Sequence, residues 1–138
     1  MILKLDFASE VPIYLQIRNQ IMLGVADGRL KPGDRLPTIR ALADESGVNT
    51  MTVNKAYALL KSEGVIVADR RSGARIKEQR CSNRPVGLNE KTLSSLRLVI
   101  AEAKLSGMDR EAFLRLCEGE FDHCVDNECS NCAVTVTE

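Results

Sequence analysis

The chain has a single histidine, and aromatic residues make up only 4% of its sequence. It has no glycine-rich phosphate loop and no nucleophile paired with a base, so it lacks the groups on which most enzyme active sites depend. No apolar run approaches the roughly 20 residues that span a membrane. The N-terminus has neither the hydrophobic core nor the small-residue cleavage site of a signal peptide. These absences predict a cytoplasmic protein that is not an enzyme.

The length and composition predict one compact domain with an appendage. A chain of 138 residues that is 44% hydrophobic can bury a small globular core. The formal net charge is zero, but residues 1–80 hold 13 basic and 9 acidic side chains, whereas residues 81–138 hold 6 and 10. The basic half fits a polyanionic partner, and the acidic half is expected to face away from it.

Residues 33–57 have the pattern of two short amphipathic helices around a tight turn. Thr38 is expected to cap the first helix, and Gly47 marks the turn. Asn49 is expected to cap the second helix. The apolar residues of that helix fall on one stripe: Val53, Ala56, Tyr57 and Leu60. This arrangement is typical of a helix-turn-helix.

The polar face of the second helix has the chemistry of a major-groove reader. The residues expected at this surface are Asn49, Thr50, Met51, Thr52, Asn54 and Lys55. Amide and hydroxyl groups hydrogen-bond base edges, an ammonium reaches phosphate or guanine, and the methyl groups of threonine and methionine contact the methyl of thymine. The helix start at Thr38 also suits a backbone phosphate. We therefore predict sequence-specific binding to double-stranded DNA.

Elements on either side complete a winged helix-turn-helix. Residues 11–25 predict a helix that precedes the pair. Residues 65–68 and 75–77 predict a two-stranded hairpin, whose basic tip spans residues 71–74. Arg71 at this tip is either a DNA contact or a solvated charge paired with a nearby aspartate. Arg75 either reaches the minor groove or lies along the sheet.

Many ordered positions within residues 10–77 resemble the DNA-binding domain of bacterial GntR-family transcription regulators. They lie in residues 12–17, 28–40, 42–43, 47–49, 52–53, 56–57 and 63–64. The short remainder resembles the YtrA subfamily, whose helical tail serves in dimerisation. The resemblance implies DNA contacts from Arg40, from the start of the second helix and from the wing tip at Gly73. Thr50 and Met51 depart from the family, which often has Arg or Pro and then Asn there, so a different operator is expected.

The second half of the chain predicts a helical hairpin. Asn89 is expected to cap a helix that ends at Gly107, and Asp109 to cap a further helix. Their apolar residues recur at helical spacing: Leu93, Leu96, Val99, Ile100, Ala103, Phe113, Leu116 and Cys117. Two short helices bury little surface alone, so we expect a homodimer that presents two recognition helices to successive major-groove turns. The alternative is that they fold back on their own winged domain.

Four cysteines crowd the end of the chain: Cys117, Cys124, Cys129 and Cys132. Stable disulfides are rare in the cytosol, so the cluster is expected to bind metal or to react with oxidants. Residues 118–138 hold six acidic and no basic side chains, which disfavours a reactive thiolate and favours a bound cation. Zinc, monovalent copper and an iron–sulfur cluster all remain open.

Together these patterns predict an α+β, mostly helical chain. Its expected parts are a winged helix-turn-helix domain at residues 1–78, a linker at 79–88, a helical dimerisation segment at 89–118 and an acidic cysteine-rich tail at 119–138. The expected function is that of a transcription regulator, a repressor, which acts as a homodimer on a palindromic operator and is tuned by metal or a cluster. Alternatives are a thiol-redox-responsive regulator and a tail that is only a structural metal or protein-contact element.

Overall fold

The computed structural model describes residues 3–78 and 87–125, except for the side chains of 123–125. It forms two units, Met1–Gln79 and Arg80–Glu138. The first unit contains α1 (Ile13–Ala26), α2 (Ile39–Ser46), α3 (Thr50–Ser62), β1 (Ile66–Asp69) and β2 (Gly73–Ile76). The second contains α4 (Glu90–Leu105) and α5 (Arg110–Val125). The predicted mostly helical winged helix-turn-helix is confirmed.

Capping side chains set the helix-turn-helix, as predicted. The Thr38 hydroxyl accepts a hydrogen bond from the Ala41 amide at 3.1 Å, and the Asn49 side chain accepts one from the Met51 amide at 2.8 Å. These bonds satisfy amides that have no partner within their own helices. Gly47 ends α2 with a φ of +66°, a conformation that glycine adopts without steric cost. The turn between α2 and α3 is therefore fixed by local sequence.

The core lies where α3 packs against α1, α2 and β1. The apolar stripe predicted for α3 is buried, and the same cluster includes residues from α1, α2 and both strands. Its buried members are Ile17, Ile21, Leu36, Leu42, Ala43, Val53, Ala56, Tyr57, Leu60, Ile66 and Ile76. Because α3 contributes one full face to this cluster, its opposite face is left at the surface.

The wing is a hairpin with a shorter tip than predicted. β1 and β2 pair antiparallel from Ile66 opposite Ile76 to Asp69 opposite Gly73. Residues 73 and 74, predicted to lie in the tip, belong to β2 instead. Gly73 has a φ of +73°, which allows the chain to turn within three residues and to pair at once. On the other side of β2, Arg35 forms a bridge with Arg75 and extends the sheet.

The N-terminal segment is fastened to α1 by two glutamine side chains, which the sequence analysis did not anticipate. Gln16 accepts from the Asp6 amide and donates to the Asp6 carbonyl, both at 2.9 Å. Gln20 accepts from the Lys4 amide at 3.0 Å and donates to the Lys4 carbonyl. Leu5, between them, packs on the core. Residues four apart on a helix thus pair with residues two apart on an extended segment.

The second unit has the two predicted helices. Asn89 caps α4 through the Thr92 amide at 2.8 Å, and the Asp109 carboxylate accepts from the Ala112 amide at 2.8 Å. α5 continues beyond residue 118, where the sequence predicted the tail to begin. The added turns contain a single glycine, which costs only about 1 kcal/mol in a helix, and no proline. Within residues 3–78 and 87–125, no helix is long and apolar enough to cross a membrane.

Candidate nucleic-acid interface

The surface face of α3 presents the side chains predicted to contact DNA. Met51, Asn54 and Lys55 are exposed, and they lie opposite the buried stripe because three or four residues make one helical turn. Met51 has 78% of its surface exposed. Thr50 is also exposed, whereas Thr52 is half-buried. The face therefore combines amide, ammonium, hydroxyl and thioether groups on one helix.

The first turn of α3 is held by Asn49. Its side chain accepts from the Met51 amide, and its carbonyl accepts from the amides of Thr52 and Val53 at 3.0 and 3.3 Å. The Asn49 side-chain oxygen is thus engaged in capping. Asn49 is predicted to contact DNA as well as to cap the helix, and the structure shows the cap, which sets the start of α3. The side chains of Thr50 and Met51 are left at the surface.

Lys55 has a partner that the sequence analysis did not identify. Its ammonium lies 4.0 Å from the centre of the Tyr14 ring of α1. A cation over an aromatic face at an exposed site is stabilised by about 0.5 to 1 kcal/mol. Tyr14 lies in the segment predicted only as a helix, and it is half-buried there. The contact restricts the Lys55 side chain before any DNA is bound.

The start of α2 provides a second part of the surface. Thr38 and Arg40 are both exposed, and no ion-pair partner of Arg40 is found in the described part of the chain. Tyr57 donates a hydrogen bond to the Pro37 carbonyl at 2.8 Å, so α3 fixes the segment that leads into α2. Burial, together with the negative charge of Glu45, raises the pKa of Tyr57 to about 12. The hydroxyl is therefore a donor at neutral pH.

Arg71 lies in the turn of the wing, and Gly73 is the first residue of β2 directly after it; both are exposed. Asp69 accepts a hydrogen bond from the backbone amide of Arg71 at 3.3 Å, and Asp34 accepts one from the backbone amide of Lys31 at 2.8 Å. These carboxylates stabilise turns. Among residues 3–78 and 87–125, neither of them forms a salt bridge with a neighbouring arginine.

Arg75 is less accessible than the arginines of the tip. It lies in β2 opposite Val67 and forms the bridge with Arg35 on the other side. The residue is half-buried, and its Nε is shielded from solvent without a hydrogen-bond partner among the described residues. This burial favours the alternative in which the side chain lies along the sheet.

The described part of the cysteine cluster is helical. Cys117 is exposed on α5, and the backbone of Cys124 belongs to the same helix. Their spacing places the two Cα atoms about 10 Å apart, whereas zinc holds each cysteine sulfur at about 2.3 Å. One ion is thus too small to join both cysteines of a single intact helix. Cys129 and Cys132 lie outside the described residues, within which no group of three possible metal ligands occurs.

A capped helix pair, an exposed polar face on the second helix and a basic hairpin define the class: this is a winged helix-turn-helix protein. Residues 12–76 match the family described as bacterial regulatory proteins, gntR family. The chain belongs to the GntR family, and it is a DNA-binding transcription regulator rather than an enzyme.

Similarity to known proteins covers most of the chain. The chain is 35% identical over 109 residues to the HTH-type transcriptional repressor YtrA of Bacillus subtilis. The aligned region covers 79% of this chain and 84% of that protein. A solved structure of YtrA from Sulfolobus acidocaldarius, a GntR-family transcription factor, has a TM-score of 0.60 at 41% identity and covers 76% of this chain and 99% of that one.

A second solved structure matches a larger share of the chain. A transcriptional antiterminator from Listeria monocytogenes EGD-e has a TM-score of 0.80 at 26% identity, with 93% of this chain and 96% of that one covered. The predicted resemblance to GntR-family regulators, including the YtrA type, is confirmed by these matches.

Proposed function

We propose that this protein is a repressor that binds a palindromic operator as a homodimer in the bacterial cytoplasm. The observation that carries the proposal is the face of α3 opposite its buried stripe, on which polar and cationic side chains are exposed together. No residue of this face is needed for the core, so its composition is free to serve recognition. The name of the Bacillus subtilis relative supports the assignment as a repressor.

Within this proposal the exposed side chains divide into two roles. Asn54 and Thr50 recognise base edges, since an asparagine amide pairs with the adenine edge in the major groove. Arg40, Lys55 and Arg71 supply positive charge for phosphate or guanine. Four further predicted contacts position the backbone near the DNA: Thr38 and Asn49 at the helix starts, Thr52 behind the α3 surface, and Gly73 at the wing. Met51, the last predicted contact, adds an apolar side chain to the same surface.

Dimerisation is supported by the apolar surface of the second unit. None of the residues of α4 is buried within the chain. Leu96 and Val99 are 38% and 50% exposed, and on α5 Leu116 and Phe121 are 52% and 71% exposed. An apolar surface of this extent favours association, and a two-fold dimer matches a palindromic site.

The test is selection of bound duplexes from a random library, followed by titration of the selected site at two or more salt concentrations. We expect an enriched inverted repeat and an affinity that falls steeply with salt. Arg40→Ala should weaken binding, by about 1 to 3 kcal/mol if the contact is to a base. The matched control is Lys61→Ala, which removes an exposed basic side chain in the last turn of α3. This control should leave DNA binding unchanged. A library from which no sequence is enriched would contradict the proposal.

For the tail, we propose that Cys124, Cys129 and Cys132 bind a metal ion that tunes operator affinity. The six acidic side chains of residues 118–138 favour a cation, and three thiolates suit monovalent copper or, with a fourth ligand, zinc or an iron–sulfur cluster. Cys117 is then left outside the ligand set unless a second helix supplies it. Bound metal would neutralise thiolate charge and hold the tail in one conformation.

This tail proposal is tested on anaerobically purified protein, loaded and then stripped of metal. We expect at least one metal equivalent per chain and a severalfold change in operator affinity on stripping. Replacing Cys129 and Cys132 with Ser should remove both the bound metal and the change in operator affinity. Metal that resists stripping while operator affinity stays unchanged would instead assign the tail a structural role. A change in operator affinity that requires an oxidant rather than metal would support redox sensing.

A further inference from the structure

Met51 has a surface position that the fold does not explain. Among the large hydrophobic side chains described in the first unit, it has the greatest exposed fraction, 78%. The next is Phe7 at 68%, which lies in the N-terminal segment and not on α3. A methionine in the core fills gaps, but this one belongs neither to the buried cluster nor to the partly buried side chains packed against it. Its exposure therefore needs a reason other than packing.

The backbone around Met51 is held in place. The Asn49 side chain accepts from the Met51 amide, which fixes the first turn of α3. Met51 shares its helix face with Asn54 and Lys55, so it belongs to the surface that we propose for DNA. Residues in the N-terminal part of a recognition helix are those that reach base edges.

The chemistry of Met51 narrows what it can contact. Its thioether has no hydrogen-bond donor and is a weak acceptor, so it does not substitute for an amide or a cation at a base edge. The apolar group that B-DNA presents in the major groove is the C5-methyl of thymine. An unbranched, flexible side chain is suited to cover such a methyl group. Lys55 does not compete for this position, since its ammonium lies over Tyr14.

We propose that Met51 is a specificity-determining residue that selects thymine in each half-site through its C5-methyl group. The inference rests on the proposed function, since it applies only if α3 enters the major groove. It makes thymine the preferred base at one position of each half-site and makes the methyl group, not the hydrogen-bonding edge, the feature that is recognised.

The experiment uses the full-length protein and the duplex selected from the random library. Each thymine is replaced in turn by uracil, which removes only the methyl. At one symmetric position we expect the wild-type protein to bind about fourfold more weakly per methyl lost, the worth of one buried methylene group. When a cytosine is placed at the same position, 5-methylcytosine should bind about fourfold more tightly than unmodified cytosine.

Variants separate the role of Met51 from a general effect. Met51→Ala should bind the thymine and uracil duplexes equally, whereas Met51→Leu should keep part of the difference. Leu23→Ala removes another apolar side chain, 53% exposed on α1, and should leave the full difference in place. Circular dichroism and thermal unfolding check that the variants fold.

Each result has a defined meaning. A selected site on which uracil is as good as thymine at every position overturns this inference and leaves the proposed function standing. Discrimination that persists in Met51→Ala also overturns it. Failure to select any site contradicts the proposed function itself, and the thymine assignment falls with it.

Discussion

At the scale of single residues, the contact between Lys55 and Tyr14 links the core of the first unit to its recognition surface. The ammonium lies 4.0 Å from the ring centre, so the charge is held at one place on the surface of α3. If Lys55 acts from this position, removal of the ring should weaken DNA binding through added side-chain freedom.

Tyr14→Leu is the substitution that tests this contact. We expect it to weaken operator binding by about 0.5 to 1 kcal/mol, the worth of an exposed cation–π pair. Tyr14→Phe keeps the ring and should bind like the wild type. In a Lys55→Ala background, Tyr14→Leu should have no further effect, and an additive loss would show that the two residues act separately.

Tyr57 predicts a pH dependence of stability. Its folded-state pKa of about 12 lies above the ordinary value of 10.0, because burial and the charge of Glu45 disfavour the phenolate. Below pH 10 the hydroxyl is protonated in both states, and its contribution is complete. Between about pH 10 and 12 the unfolded chain loses this proton first, so the free energy of unfolding should fall by about 2 kcal/mol.

Chemical denaturation at several pH values measures this decrease. Tyr57→Phe, which cannot ionise, should show a shallower fall over the same interval, although it also lacks the bond to the Pro37 carbonyl. Tyr14 is present in both proteins and cancels in the comparison. The same slope in the wild type and Tyr57→Phe would mean that Tyr57 ionises freely in the folded state.

At the scale of elements, the features that could be predicted from the sequence were local. Thr38, Asn49 and Asn89 each cap the helix that follows them, and Gly47 makes the turn, because capping and glycine conformation depend on a few neighbouring residues. The buried stripe of α3 could be predicted from the helical spacing of its apolar residues alone.

What could not be predicted joins residues that are distant in sequence. The pair of hydrogen bonds from Arg18 to Glu63, at 2.7 and 2.9 Å, ties α1 to the end of α3 across 45 positions. Tyr14 and Lys55 are separated almost as far, and Gln16 and Gln20 hold a segment that precedes their helix. Charges and amides are compatible with many partners, so their pairing depends on how the helices pack.

The turn between α2 and α3 gives a prediction at this scale. Gly47 has a φ of +66°, and a Cβ at this position would meet no atom within 4 Å beyond its own chain neighbours. Gly47→Ala should therefore destabilise the fold by about 1 to 2 kcal/mol through local backbone strain, with no clash against the rest of the fold. Gly47→Asn should cost less, since asparagine tolerates this conformation. Thermal and urea unfolding measure both, and equal stability of all three proteins would contradict the assignment.

At the scale of the whole molecule, the two units have different balances of buried and exposed apolar surface. The first buries a continuous core, whereas α4 has no buried residue within the chain. An independent second unit of this kind is poorly stabilised, and association with a second copy is the proposed source of its stability.

Leu96→Glu tests the proposed dimer. The residue is 38% exposed in the chain, so a carboxylate there should be tolerated in a monomer but should disfavour an apolar contact between copies. Sedimentation should show a dimer for the wild type and a monomer for Leu96→Glu. Ser94→Glu adds the same charge at an exposed position off the apolar stripe and should remain dimeric. A wild-type protein that is monomeric at micromolar concentration would remove the hypothesis.

The central claim is that the exposed face of α3 recognises DNA sequence, and Asn54→Ala tests it most directly. Fluorescence anisotropy would compare this variant and the wild type on the selected duplex and on a scrambled one. We expect the variant to lose about 1 to 3 kcal/mol on the selected duplex only, so its preference for that sequence falls. Unchanged affinity of Asn54→Ala, or equal binding of both duplexes by the wild type, would contradict the claim.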